Sequence, residues 1–384
     1  MPEHRPLASF PPRNSAPPGF SSSGDDALAS RHMHPGRASV AGLLAAATVA
    51  AGPARAAPAA PAAPAPVVRR GAAAVAPLPP GQARSTHAPY AAGDCGACHR
   101  SADRASPGPL RHASVNAGCL ECHEEMREVM ARKLKHAPAV RSCTACHNPH
   151  DAAGPSLLAA PVAELCARCH PGVAAQAAAA PVKHAPVTEG RACATCHDPH
   201  AARHEALLTA PAFELCVGCH SKDGMKAADG RTLVNMRRWL EENPVWHEPV
   251  RERDCGACHR THGGDHPRLL VADLPDKLYA PYDRRSYALC FGCHNDRLVS
   301  EAETTAFTRF RDGARNLHKV HVDRERGLTC RACHDAHASR QERHVRDRVA
   351  YGSGGYVLEL GFTRTATGGT CAKACHEAKT YVAR

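Results

Sequence analysis

The sequence predicts a fold of short α-helices and irregular loops with little β structure, wrapped around something other than an apolar protein core. Three observations carry that expectation. Aromatic residues are only 4% of the 384 residues, while 32 Pro and 29 Gly interrupt regular structure, so the side chains that normally fill a large interior are scarce. Twenty Cys and 27 His are present, an excess that points to disulfides, metal or a covalently held cofactor. Finally, the Cys come in pairs, and each pair is followed at once by His.

The N-terminus reads as a targeting region. Residues 1–32 show no apolar periodicity and are expected to be disordered or to precede the true start at Met33. From there MHPGR supplies a positive stretch, residues 38–51 an apolar one, and Ala54-Arg55-Ala56 a small-x-small cleavage site. The apolar run is short of the roughly 20 residues that span a bilayer, so residues 1–56 are assigned to an N-terminal extension plus a cleaved export signal, with no transmembrane segment in the mature chain. Residues 57–86 are rich in Ala and Pro and read as a semi-rigid linker. The formal net charge is +11. No basic stretch interleaved with stacking aromatics accompanies it, so no nucleic-acid partner is expected.

All twenty Cys fall in ten motifs. In chain order the pairs are Cys95 and Cys98, Cys119 and Cys122, Cys143 and Cys146, Cys166 and Cys169, and Cys193 and Cys196. They continue with Cys216 and Cys219, Cys255 and Cys258, Cys290 and Cys293, Cys330 and Cys333, and finally Cys371 and Cys375, where the spacer is one residue longer. C-x-x-C-H is the attachment sequence of c-type haem: the thiols add to the porphyrin vinyl groups and the adjacent imidazole becomes the proximal ligand. Zinc knuckles, structural disulfides and thioredoxin-like redox sites do not require a His directly after every second Cys. The proximal set is therefore His99, His123, His147, His170, His197, His220, His259, His294, His334 and His376. About ten haem c groups are expected. Export agrees with this, because so many thiols would oxidise at random outside the cytoplasm unless captured. Haem propionates also offset the positive balance.

Candidate second axial ligands fall into two classes. His150, His200, His262 and His337 each lie three residues after a proximal His. So short a segment cannot wrap to the opposite face of the same iron, so each is expected to reach a neighbouring one. His87, His136, His184, His247 and His321 lie seven to nine residues before a first Cys. They mark five two-motif repeats, 87–123, 136–170, 184–220, 247–294 and 318–376, within a domain over 87–384. Internal repetition of this kind implies serial stacking of one module. The first repeat has no His three after His99, and His112 is assigned in its place; His318 competes with His321. His204, His266 and His344 are left as exposed or propionate-bonded. Only Met126, Met130, Met225 and Met236 follow the signal, so most sites should be bis-histidine.

KHAPAVRSCTACHNPH and KHAPVTEGRACATCHDPH, with their ELCxxCH partners and the terminal GGTCAKACH, resemble the doubled-CXXCH family of multihaem cytochromes c, over roughly residues 86–384. The resemblance implies a multihaem cytochrome c fold and electron transfer by an exported protein, periplasmic or at the outer surface, with redox protein partners such as a quinol-linked donor and an outer-membrane or extracellular acceptor. With both axial positions filled by imidazole, one-electron exchange is the chemistry left, so no enzymatic activity is expected. A multihaem reductase of a nitrogen or sulfur oxyanion would need one open site, and a conductive filament subunit would need a repeating interface. Short helices are expected at the CxxCH segments and over Arg231 to Glu242. A paired-strand element is expected within Tyr351 to Arg364, and Trp239 and Trp246 are expected to pack rather than relay.

Overall fold

The computed structural model describes residues 75–352, 355–371 and 375–384. The N-terminal extension, the export signal and most of the linker lie outside the described residues. The described region falls within one compact unit, Arg70–Arg384.

Among the described residues, fourteen α-helices, none longer than nine residues, alternate with 3-10 turns and strands of two to four residues. The mainly helical and irregular fold expected from the sequence is therefore what forms, and the β content is confined to small paired segments. The two motif classes differ locally. The first motif of repeats one to four sits on a 3-10 turn (Cys95–Ala97, Cys143–Ala145, Ala192–Thr195 and Cys255–Ala257), whereas the second lies on or ends an α-helix (Val115–Cys122, Val162–Ala167, Ala212–His220 and Ala288–Phe291). In the last motif, where a helix was expected, Cys371 instead ends the strand Gly368–Cys371, paired with Thr363–Arg364 and Lys379–Val382. Residues 372–374 lie outside the described set.

Two other expectations are adjusted. The helix expected over Arg231 to Glu242 begins only at Met236, because the Asn235 side chain caps it by accepting the Arg238 N–H at 3.1 Å. The strand expectation becomes a hairpin of Arg348–Tyr351 with Tyr356–Glu359, joined through Gly352 and Gly355 at positive φ. Trp246 packs as expected, its Nε1 donating to the Leu240 carbonyl at 3.0 Å.

Interlocking of repeats is the organising feature. In repeats one to four the segment before the upstream His pairs antiparallel with the segment after a trailing His of the next repeat. Ser85–Thr86 pairs with Asp151–Ala152, Leu134–Lys135 with Ala201–Ala202, and Val245–Trp246 with Ala338–Ser339. Val182 bridges Gly264 in the same way. The residues after the trailing His are small and almost fully buried, Ala201 and Ala338 completely so. A Cβ on Gly263, at φ +103°, would meet the Ala180 Cβ at 2.8 Å. Only short side chains let two backbones approach this closely.

The protein interior supplies little apolar bulk. Among the described residues ten of the sixteen buried apolar residues are Ala, and the largest fully buried side chains are Tyr287, Val299, Asn316 and Thr329. An interior at native density needs larger groups than these.

A second recurrence was not read from the sequence. Eleven residues after the first proximal His a β-bridge returns to it: His99 with Leu110, His147 with Leu158, His197 with Leu208, His259 with Leu270, and His334 with Val345. Just before each bridge the chain adopts left-handed φ, at Gly108, Ser156, Ala206, Arg268 and Arg343. For non-glycine residues that conformation costs about 1–2 kcal/mol. Ala206→Val should lower stability by about that much and Ala206→Gly should not, as measured by thermal unfolding followed by circular dichroism.

Candidate functional site

Each first-motif proximal imidazole is held by the left-handed turn just described. Nδ1 of His99, His147, His197, His259 and His334 lies 2.8, 2.9, 2.7, 3.0 and 2.8 Å from the carbonyl oxygens of Gly108, Ser156, Ala206, Arg268 and Arg343. A carbonyl can only accept, so Nδ1 donates and the Nε2 lone pair is left free. In the four non-glycine turns two consecutive residues are left-handed, Leu157, Leu207, Leu269 and His344 being the second of each pair, and the carbonyl that points at the ring belongs to the first. Such a hydrogen bond fixes the orientation and tautomer of a metal-binding His.

The upstream imidazoles are fixed from the neighbouring repeat. Nδ1 of His136 donates to Pro199 O at 2.7 Å and Nδ1 of His184 to Thr261 O at 2.9 Å. The backbone N–H of His87, His136 and His247 donates to the carbonyl of His150, His200 and His337 at 2.9, 3.0 and 2.9 Å. One strand clasp thus positions an upstream His and a trailing His together.

These restraints set every proximal imidazole opposite one other imidazole. Repeat one places His99 against His150 at 6.3 Å between ring centroids and His123 against His87 at 6.1 Å. Repeat two sets His147 against His200 at 6.1 Å and His170 against His136 at 6.2 Å. In repeat three, His197 faces His262 at 6.2 Å and His220 faces His184 at 6.4 Å. For repeat four the pairs are His259 with His337 at 6.2 Å and His294 with His247 at 6.1 Å. Repeat five closes with His334 against His318 and His376 against His321, both at 6.3 Å.

That spacing is too wide for stacked rings in contact and fits a metal between two imidazoles. Two metal–nitrogen bonds of about 2.0 Å, with each ring centre roughly 1.1 Å behind its nitrogen, span about 6.2 Å. The ligand chemistry also fits. Burial pushes His318 down to about 3, and burial is the leading cause of the downward shifts of His147, His220, His259 and His334. Each is thereby kept in the neutral form that binds metal. Among the described residues no three His, Cys, Asp or Glu side chains converge as they would around a bare metal ion.

Two expectations change. His112 faces no proximal ring: its Nδ1 lies 2.9 Å from Glu121 Oε1, and the ring opposite His99 is His150, from the next repeat. His318 and His321 do not compete. Both lie on the helix Leu317–Val322, three residues apart, and each faces a different proximal His. That helix is anchored by Asn316, which is fully buried. Its Oδ1 accepts the His318 N–H at 3.0 Å and its Nδ2 donates to Leu298 O and Glu301 O at 3.0 and 2.8 Å. The H-x-x-H spacing was the available signal. Of the leftover histidines, His266 Nδ1 lies 3.0 Å from Asp273 and His344 packs edge-on to His247 at 5.2 Å.

Ala102 stands three residues after His99, where repeats two to five carry a trailing His. In repeat five, His334 faces His318, from the helix of its own repeat.

The Cys give the spatial order of the attachment sites. Within repeats, burial first and then Cys122 push Cys98 up; Cys146, Cys196, Cys258 and Cys333 respond likewise to burial and then to Cys169, Cys219, Cys293 and Cys371. Between repeats, the thiols of Cys119 and Cys143, Cys166 and Cys193, Cys216 and Cys255, and Cys290 and Cys330 lie close enough to perturb one another. Each site adjoins the next in sequence.

A family model described as the doubled CXXCH motif fits residues 87–128, 136–175, 184–225 and 247–298. No curated protein matches the chain. The four matched segments begin at His87, His136, His184 and His247 and end four or five residues beyond the second motif of each repeat.

His318→Ala should convert one low-spin site to high spin, while His112→Ala should leave the low-spin count unchanged. Electron paramagnetic resonance of the oxidised holoprotein reads both. His150→Met should alter the site at Cys95 and Cys98 and leave that at Cys143 and Cys146 with two imidazoles.

Proposed function

We propose that this chain, four segments of which match the doubled CXXCH motif of multihaem c-type cytochromes, is a ten-haem electron carrier rather than a reductase. The observation that carries the reading is the pairing of all ten proximal imidazoles with a second imidazole of the same chain, at 6.1–6.4 Å. Covalently bound haem with two imidazole ligands supplies one-electron exchange and no vacant coordination position.

The chain's own residues do the rest. Cys pairs fix each attachment point, the left-handed carbonyls and interlocking strands hold the imidazoles opposed, and the head-to-tail order of the thiols lays the sites out as a single file from Cys95 to Cys375. A substrate-reducing site would require one proximal His without an opposing ring. Every described proximal His has one.

Redox proteins are the partners in this reading. The export signal read in the sequence, together with haem attachment outside the cytoplasm, supports a location in the periplasm or at the outer surface, between a quinol-linked donor and an outer-membrane or extracellular acceptor. Among the described residues no helix is long and apolar enough to cross a membrane.

The purified holoprotein should exceed its polypeptide mass by ten haems and show a low-spin bis-imidazole spectrum in both redox states. A colourless product, or a high-spin fraction that binds nitrite or sulfite, would overturn the proposal.

A further inference from the structure

Resting on the ligand pairing just proposed, we infer that the residue immediately after a first-motif proximal His tunes the haem of the preceding repeat rather than the haem of its own. The residues are Asn148, Asp198, Arg260 and Asp335, which follow His147, His197, His259 and His334.

In three of the four the side chain folds forward onto the trailing His. Oδ1 of Asn148, Asp198 and Asp335 accepts the backbone N–H of His150, His200 and His337 at 3.0, 3.0 and 2.8 Å. Two of these side chains also bring a carboxylate to the imidazole: Asp198 Oδ1 lies 3.4 Å from His200 Nδ1, and Asp335 Oδ1 lies 3.7 Å from His337 Nδ1. His200 and His337 face His147 and His259, members of the preceding repeat. The proximal rings beside them in sequence turn elsewhere, His197 Nδ1 to Ala206 O and His334 Nδ1 to Arg343 O.

The charge at this position varies along the array. Asn148 is neutral and its amide donates to Ala76 O at 3.0 Å. Asp198 is paired with Arg132 at 2.6 Å, and Asp335, with a side chain only 6% exposed, is paired with Arg346 at 3.1 Å. Arg260 is exposed and brings a cation. Oxidised haem carries one more positive charge than reduced haem, so an adjacent carboxylate stabilises the oxidised form and lowers the potential. The sites at Cys143/Cys146 and Cys255/Cys258 should therefore be poised lower than those at Cys95/Cys98 and Cys193/Cys196.

Asp198→Asn tests the inference without dismantling the turn, because Asn148 makes the same backbone hydrogen bond one repeat earlier. On the full-length holoprotein, redox titration followed by NMR of the haem methyl groups reads each potential, and His200→Met and His262→Met mark which resonances belong to which site. Asp198→Asn should raise the potential of the haem marked by His200→Met by about tenfold in its reduction equilibrium, 59 mV for one electron. Arg260→Asp should lower that of the haem marked by His262→Met. A shift in the His262-marked haem on Asp198→Asn, or no shift in either, overturns the inference. If His200→Met leaves every site bis-imidazole, the ligand pairing itself is wrong and the inference falls with it.

Discussion

An imidazole facing each proximal imidazole across a gap that fits one metal is the constraint on which the rest of this structure depends. The two nitrogens must face one another across a gap that the polypeptide cannot enter, so neighbouring residues cannot supply both. The proximal ring is fixed by its own Cys pair. Its opposite must arrive from elsewhere, and in the first site of repeats one to four it arrives from the next repeat. That is why the modules interlock instead of merely stacking, and why contacts between them are nearest-neighbour in kind.

Local sequence choices serve that geometry at a cost. Ser156, Ala206, Arg268 and Arg343 accept left-handed φ so that a carbonyl meets the proximal Nδ1. Backbone strain of this sort persists where surrounding contacts over-determine it. Here the bridge to Leu158, Leu208, Leu270 or Val345 closes the loop and holds the strained pair in place. The short residues after the trailing His serve the same end, since any larger side chain would push the paired strands apart and misplace two imidazoles at once. With so little apolar bulk buried, cofactor and ligand binding must contribute directly to folding.

Because each clasp carries an upstream His and a trailing His, it ties two sites mechanically, and through Asp198 and Asp335 it also ties them electrostatically. Arg132 and Arg346 keep those carboxylates compensated while leaving them beside the ring. The same residue that shapes the turn thus has a lever on the electron-holding properties of a neighbouring site. Order along the array comes from the thiols, and variation along it from one position per repeat.

The ten attachment motifs, the proximal His of each and the absence of a large apolar core follow from sequence alone, because covalent attachment demands Cys and His at adjacent positions. The rule that a trailing His must serve a neighbour is also legible, since three residues cannot span a porphyrin. Which neighbour it serves is not. Tertiary structure assigned His150 to His99, gave the upstream His to the second motif of its own repeat, set His112 aside and enlisted both His318 and His321. These choices depend on strand pairing between segments more than sixty residues apart, and on a buried Asn316 that aims one helix at two sites. Spacing along a chain limits what can be reached, but the direction a ring faces is decided only when distant backbones close around it.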